Sequence, residues 1–444
     1  MGRKPLDVEK IALELIMNDD LSVKKKLAKR IFDIGYKRGI YPSSMHQFYI
    51  ARGRKEFNGF TVPAINLRSM TYDLARAIFR VAKRNNSAAF IFELAKSEMG
   101  YTNQPPIEYS AVVLAAAIKE EYAGPVFIQG DHFQLNAKKF KDDPEREIEA
   151  LKSLIQEAVE SGFYNIDIDS STLVDLSKPT VKKQQFLNYD TCARLTQFIR
   201  QIQPRGIEIS VGGEIGEVGG KNSTPEELRA FMEGYRQRLR KGRVGISKIS
   251  VQTGTSHGGV VLPDGSIAQV KLDFETLRTL SKIAQEEFGL AGAVQHGAST
   301  LPAEAFHKFP EVGTAEVHLA TEFQNMIYES KYFPGELKTR MYEWIKANCQ
   351  DERKDTETEE QFIYKTRKKA LGPFKKEIMG LSQDVREAIA REIEERFDFL
   401  FKQLNSVDNR HLVDRYVTVK RVIVRKRKVK AGESTVQHDT EGAD

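Results

Sequence analysis

Three histidines in this sequence sit where an apolar run gives way to polar residues. The first closes Val126-Phe127-Ile128-Gln129-Gly130-Asp131-His132. The second lies in Gly254-Thr255-Ser256-His257-Gly258-Gly259, and the third opens His296-Gly297-Ala298-Ser299. Neutral imidazoles are good zinc ligands, and three of them leave one coordination position open, the form a catalytic zinc takes. A single histidine with glycine neighbours is more often structural. Three in equivalent places, out of 8 in the chain, point to a metal site. Asp131, beside the first, is placed to act as a general acid or base. Taken alone, Asp131-His132 also reads as a helix-capping pair in a loop.

A fourth landmark is Val211-Gly212-Gly213-Glu214-Ile215-Gly216-Glu217-Val218-Gly219-Gly220. Glu214 is expected to face the same mouth as the histidines, as an outer partner or a fourth ligand. The competing reading is a glycine hairpin with surface glutamates. Gly219-Gly220 suits a loop that closes over substrate. The glycines beside His257 and His296 let backbone N–H groups approach a phosphate closely.

These residues need a scaffold that brings distant strand ends together. Apolar, β-branched runs predict strands over 61–66, 88–93, 126–130, 164–169, 206–212, 244–252, 291–295 and 314–320. Helical patterns fall between them, over 71–84, 108–121, 144–161, 189–203, 225–241, 273–288 and 302–308. Eight strand–helix units predict a (β/α)8 barrel, in which all strand ends meet at one mouth. An open doubly wound sheet is the alternative, weakened by the absence of a Gly-x-Gly-x-x-Gly after the first strand. Each histidine is expected just past a strand end. The barrel is placed at 59–330, after a basic helical extension over 1–58 in which a helix through Phe48 ends near Asn58-Gly59. A helical and basic extension follows over 331–430, with a disordered polar tail at 431–444.

Composition sets the outer limits. With 40% hydrophobic and 29% charged residues the chain reads as a globular protein, and no run approaches the ~18 apolar residues of a membrane span. No export signal opens the sequence, and Cys192 and Cys349 form no disulfide framework, so a cytoplasmic setting is expected. A net charge of +6 suits a phosphorylated substrate but is too small to argue for nucleic acid. The basic stretch 415–430 reads as a solvated edge or subunit contact, or else as a site for an anionic partner. The amphipathic N-terminal helices must bury an apolar face, which suggests a homo-oligomer.

The ordered set Gly59-Phe60-Thr61-Val62-Pro63-Ala64-Ile65-Asn66, Gly130-Asp131-His132, Ile168-Asp169-Ser170-Ser171, Gly213-Glu214-Ile215-Gly216, Gly254-Thr255-Ser256-His257-Gly258, His296-Gly297-Ala298-Ser299 and Ala320-Thr321-Glu322 resembles the class II, zinc-dependent fructose-bisphosphate/tagatose-bisphosphate aldolases. The resemblance implies that His132, His257 and His296 ligate one Zn2+, with a monovalent cation as a further candidate cofactor. It implies that Asp131 moves the proton of the C4 hydroxyl and that Glu214 is the family's supporting glutamate. It also implies that Gly258, Gly297, Ser299 and Thr321 hold the ketose phosphate, with His318 near the reacting carbons. The implied activity is reversible cleavage of fructose 1,6-bisphosphate to dihydroxyacetone phosphate and glyceraldehyde 3-phosphate, a step of glycolysis and gluconeogenesis.

The sequence departs from that pattern at three places. Gly220 is followed by Lys221-Asn222-Ser223, with no loop carboxylate unless Glu217 serves; His318 stands where the family commonly has Asn; and Ala95 replaces a Ser. These leave open another ketose phosphate, such as tagatose 1,6-bisphosphate, or a non-catalytic barrel that regulates a partner aldolase. Schiff-base chemistry would need a desolvated lysine, for which Lys248 and Lys271 are the nearest candidates.

Overall fold

Among the described residues nine strands organise the fold: β1 Ile40–Ser43, β2 Val62–Asn66, β3 Ile91–Ala95, β4 Gly124–Gln134, β5 Asn165–Asp169, β6 Ser210–Gly216, β7 Lys248–Val251, β8 Ala293–Gln295 and β9 Glu316–Leu319. The computed structural model describes residues 7–216, 221–254, 272–299 and 301–422. Neighbouring strands pair in parallel around β2-β3-β4-β5-β6-β7-β8-β9, and β9 pairs with β2, so the sheet closes. This is the (β/α)8 barrel, and closure rules out the open doubly wound sheet. Parallel strands covered on both faces need near-continuous apolar sequence, as the runs had suggested.

Helices Thr71–Arg84, Pro106–Lys119, Pro144–Glu160, Phe186–Ile202, Pro225–Arg238 and Phe274–Glu286 form most of the outer layer. Several carry clear start signals. Pro225 follows Thr224, whose hydroxyl accepts from the N–H of Glu227 while the Glu227 carboxylate accepts from the Thr224 N–H. Between β8 and β9 the predicted helix 302–308 is replaced by a short 3-10 helix, Ala303–Ala305, and a single-turn α-helix, Lys308–Glu311.

Three further expectations shift. The extension before the barrel contains a strand, β1, which pairs with the first part of β4. The Asn165 side chain ties this seam, donating to the carbonyls of Ser43 and Ile128 and accepting from the N–H of Met45. The helix through Phe48 stops at Gly53, not near Gly59, because Lys55 turns left-handed at φ 60°. At Gly53 a Cβ would lie 2.2 Å from the Gly289 carbonyl oxygen, so two backbones touch there. Finally, β6 begins at Ser210, later than predicted, which places Glu214 inside the strand.

The helices at both ends of the chain share one apolar core with the barrel, from Val8 to Leu404. Buried ion pairs clip them on: Lys24 and Lys375 both contact Glu108, and Arg386 contacts Asp73. No described helix is long and apolar enough to cross a membrane. Cys192 and Cys349 are unbridged and buried. The tail 431–444 and residues 423–430 of the basic stretch lie outside the described residues.

Inside the barrel, side chains alternate along each strand. Phe60, Val62, Ile91, Phe127 and Tyr49 pack together at the end where the strands begin. Two residues further along β3 and β4 the inward positions become Glu93 and Gln129, then Ala95 and Asp131. The apolar floor thus gives way to a charged layer and then to the mouth.

Candidate active site and metal centre

Asp131 and His132 lie within β4, which runs on to Gln134; they are not in a loop beyond the strand. Consecutive strand residues normally face opposite sides of a sheet. Here the pairing with β5 slips between Gly130 and Phe133, and His132 takes φ 38°, so the regular alternation breaks where both residues are needed. Gly130 permits the kink: a Cβ there would lie 2.5 Å from the Phe133 ring.

His296 follows β8, and its Nδ1 lies 2.6 Å from His132 Nε2. Asp131 Oδ1 lies 4.0 Å from each of these rings. Each ring is braced on its far side. His132 Nδ1 faces Asp169 Oδ2 at 3.4 Å and Glu214 Oε2 at 3.5 Å. His296 Nε2 meets the Ser250 hydroxyl at 3.1 Å. Asp169 is itself fixed, accepting from the Ser171 N–H and hydroxyl and from Gln134 Nε2. The donor chemistry fits a divalent metal: two imidazole nitrogens converge beside a carboxylate oxygen, and outer carboxylates fix the tautomer of one ring. His257, the expected third ligand, and Gly258 and Glu217 lie outside the described residues.

Electrostatics follow from burial and proximity. Burial pushes the Asp131 carboxyl up, but His132 and His318 outweigh it and hold it well below the usual range. Burial works against the His132 imidazolium, yet Asp131, Glu214 and Asp169 keep its pKa well above the ordinary value. Burial, followed by the charge of Asp169, raises Glu214 to about 8.

His318, on β9, sits against this group. Its ring stacks on His296 with centroids 4.0 Å apart and planes 20° apart. Its Nδ1 faces Glu93 Oε2 at 2.9 Å and Asp131 Oδ1 at 3.3 Å, and its Nε2 faces Glu316 Oε1 at 2.7 Å. Below it, Lys248 Nζ donates to Gln129 and Asp167, each at 2.8 Å, and to Glu316. Lys248 is thus a saturated, buried cation. Burial pulls its ammonium down, but Asp167 and Glu316 more than offset that. Burial, partly offset by Lys248, leaves Asp167 raised to about 6; Lys248 and His318 overcome burial to hold Glu316 at about 2.

Of the expected phosphate residues, Gly297, Ser299 and Thr321 follow the neighbouring strands β8 and β9. Gly297 takes φ 66°. The Ser299 hydroxyl accepts from the Ala320 N–H at 2.7 Å, and Thr321 opens the helix Thr321–Glu329, whose first N–H groups suit an anion. Arg68 joins them, buried, with Nε on Glu98 at 2.7 Å and Nη1 3.4 Å from the Thr321 hydroxyl. Asn222 points elsewhere, donating to Asp273 at 3.1 Å. Ala95 donates its N–H to Glu98 at 2.7 Å.

Glu93, Asp167, Asp169, Glu316 and Arg68 had no part in the expected site. Their signal was present: Glu93 in Phe90-Ile91-Phe92-Glu93-Leu94, Asp167 in Ile166-Asp167-Ile168, and Glu316 in Ala315-Glu316-Val317 are lone charges in runs too apolar to be surface strands.

A family model described as fructose-bisphosphate aldolase class-II matches residues 53–405. No curated protein sequence matches the chain. Among solved structures, one named probable tagatose 6 phosphate kinase from Sinorhizobium meliloti 1021 aligns with a TM-score of 0.54 at 14% identity, covering 80% of this chain and 99% of that one. The YdjI aldolase from Escherichia coli K12 gives 0.47 at 14% identity, covering 81% and 97%. A fructose-bisphosphate aldolase from Campylobacter jejuni gives 0.47 at 19% identity, covering 83% and 97%. The likeness to the first of these, at 14% identity, is one of fold.

Proposed function

Because the chain belongs to the class II fructose-bisphosphate aldolase family, we propose that it is a zinc-dependent aldolase reversibly cleaving fructose 1,6-bisphosphate to dihydroxyacetone phosphate and glyceraldehyde 3-phosphate. The observation that carries this reading is the 2.6 Å approach of His132 Nε2 to His296 Nδ1 beside Asp131. His257 completes the ligand set. A bound zinc supplies Lewis-acid polarisation of the substrate's C2 carbonyl.

The chain's own residues do the rest. Asp131 takes the proton of the C4 hydroxyl as the C3–C4 bond breaks, and returns it when the reaction runs in the condensation direction. The electron pair left at C3 delocalises onto the C2 oxygen, C3 then takes a proton from water to give dihydroxyacetone phosphate, and Asp131 returns its proton to solvent. The His132 and His318 imidazoles beside Asp131 favour its ionised form, the form that accepts a proton. Glu214 and Asp169 orient the His132 ring. His318 presents an imidazole N–H beside Asp131, in reach of the reacting carbons. Gly258, Gly297, Ser299 and Thr321 bind the ketose phosphate, largely through backbone N–H groups. The enzyme works in the cytoplasm, with 59–330 as the catalytic barrel; the apolar faces of the N-terminal helices, from which a homo-oligomer was expected, are covered within the chain itself.

A second reading, the same chemistry on another ketose phosphate such as tagatose 1,6-bisphosphate, is favoured by His318, whose ring lies between the Glu93 and Glu316 carboxylates. Aldehyde release from a panel of ketose phosphates separates the two. Preference for fructose 1,6-bisphosphate supports the first; preference for a C4 epimer supports the second; release from none removes both.

A further inference from the structure

The inward layer beneath the site is built from charge where a barrel usually packs branched apolar side chains. Lys248, Asp167, Glu316, Glu93 and Gln129 are all buried there. Burying ions is costly unless each is paired and hydrogen-bonded, and replacing such a cluster by apolar residues often stabilises a fold. A cluster of this kind is therefore poorly explained by stability alone.

Its connections run in one direction. An ammonium has three N–H donors, and those of Lys248 meet three acceptors, Gln129, Asp167 and Glu316. Glu316 is gripped from all sides: Oε1 also accepts from Gln129 at 2.8 Å, and Oε2 accepts from the Tyr49 hydroxyl. The same Oε1 faces His318 Nε2 at 2.7 Å, and the other ring nitrogen faces Asp131 at 3.3 Å. Space is cleared for this chain of contacts. At Gly212, across from Lys248 on β6, a Cβ would lie 2.3 Å from Asp167 Oδ1.

We propose that Lys248 is a positioning residue: a fixed ammonium that locks Glu316 and, through it, aims the His318 ring at Asp131. It is not a nucleophile, since all three of its N–H groups are committed and it lies two residues, or roughly 7 Å, below Ser250 on the same strand. The inference rests on the aldolase reading given above.

The test compares wild type with Lys248→Met and with the charge-balanced pair Lys248→Met/Asp167→Asn, which removes one buried carboxylate together with the ammonium so that a folded protein is available if the single variant fails to fold. The expected result for the folded pair is unchanged metal content, KM for fructose 1,6-bisphosphate within about threefold, and kcat lower by on the order of 10–100-fold, the scale of a displaced supporting contact. Histidine-selective 15N labelling should show the His318 ring signals moved. Wild-type kcat in the pair, or unmoved His318 signals, overturns the proposal. So does a borohydride-trapped substrate adduct on Lys248. Absence of aldehyde release by the wild type defeats the aldolase reading instead, and the His318 signals still decide the role of Lys248.

Discussion

His132 Nε2 and His296 Nδ1 face each other at 2.6 Å although 164 residues separate them. Two strand ends, one kinked at Gly130 and one ending at Gln295, aim two ring nitrogens at one point. The contact is at ring-to-ring hydrogen-bond distance, and the convergence of both nitrogens beside the Asp131 carboxylate is the arrangement a shared cation would use.

Asp131→Asn keeps the shape of the site but removes the base. The expected outcome is a kcat lower by about 10²–10⁴ with metal content unchanged. Coupled reduction of the released triose phosphate and metal analysis on the same sample check both halves.

Removing a ligand acts differently. His296→Ala should lose bound zinc and activity together. Asp169→Asn, which loosens the brace on His132, should weaken zinc binding by about 10–100-fold while leaving the ligands in place. Competition titration with a metal indicator measures both.

Arg386 belongs to the C-terminal extension and Asp73 to a barrel helix, and the two are buried together with contacts of 3.0 and 2.9 Å. Burial raises the Asp73 pKa even against the pull of Arg386. Arg386→Ala, which strands the carboxylate, should cost about 3–5 kcal/mol of stability. Arg386→Ala/Asp73→Asn should recover part of that loss. Denaturant midpoints for the four proteins of this cycle give the coupling.

His46 offers a pH test away from the chemistry. Burial, helped by the Arg200 charge, pushes its pKa down to about 3. A histidine in the unfolded chain titrates near 6.5, so between these values the unfolded state binds a proton that the folded state does not. This group's contribution is therefore intact above pH 6.5 and is lost as the pH falls, by about 1.4 kcal/mol per pH unit. His46→Gln should lack this part of the acid sensitivity, as judged by urea midpoints measured near pH 7 and near pH 5.

The barrel was legible because eight apolar runs alternate with helical patterns, and the histidines stood out because each ends such a run. Strand β1 was hidden: four residues with Pro42 among them are too short to show alternation. The start of β6 was misplaced because Ile207, Ile209 and Val211 look more strand-like than the glycines that follow. His132 was expected in a loop because nothing in the sequence announces that Gly130 and Phe133 share space and carry the strand onward. The charged layer was missed for a different reason. Glu93, Asp167 and Glu316 lie far apart in sequence, and only closure of the barrel brings them to Lys248 and His318.

The most direct test of the metal-centred account is cleavage of fructose 1,6-bisphosphate by the purified chain before chelation, after it, and after zinc is restored. The account expects activity to vanish with the metal and return with about one zinc per chain. Cleavage that persists in the fully chelated protein would contradict it.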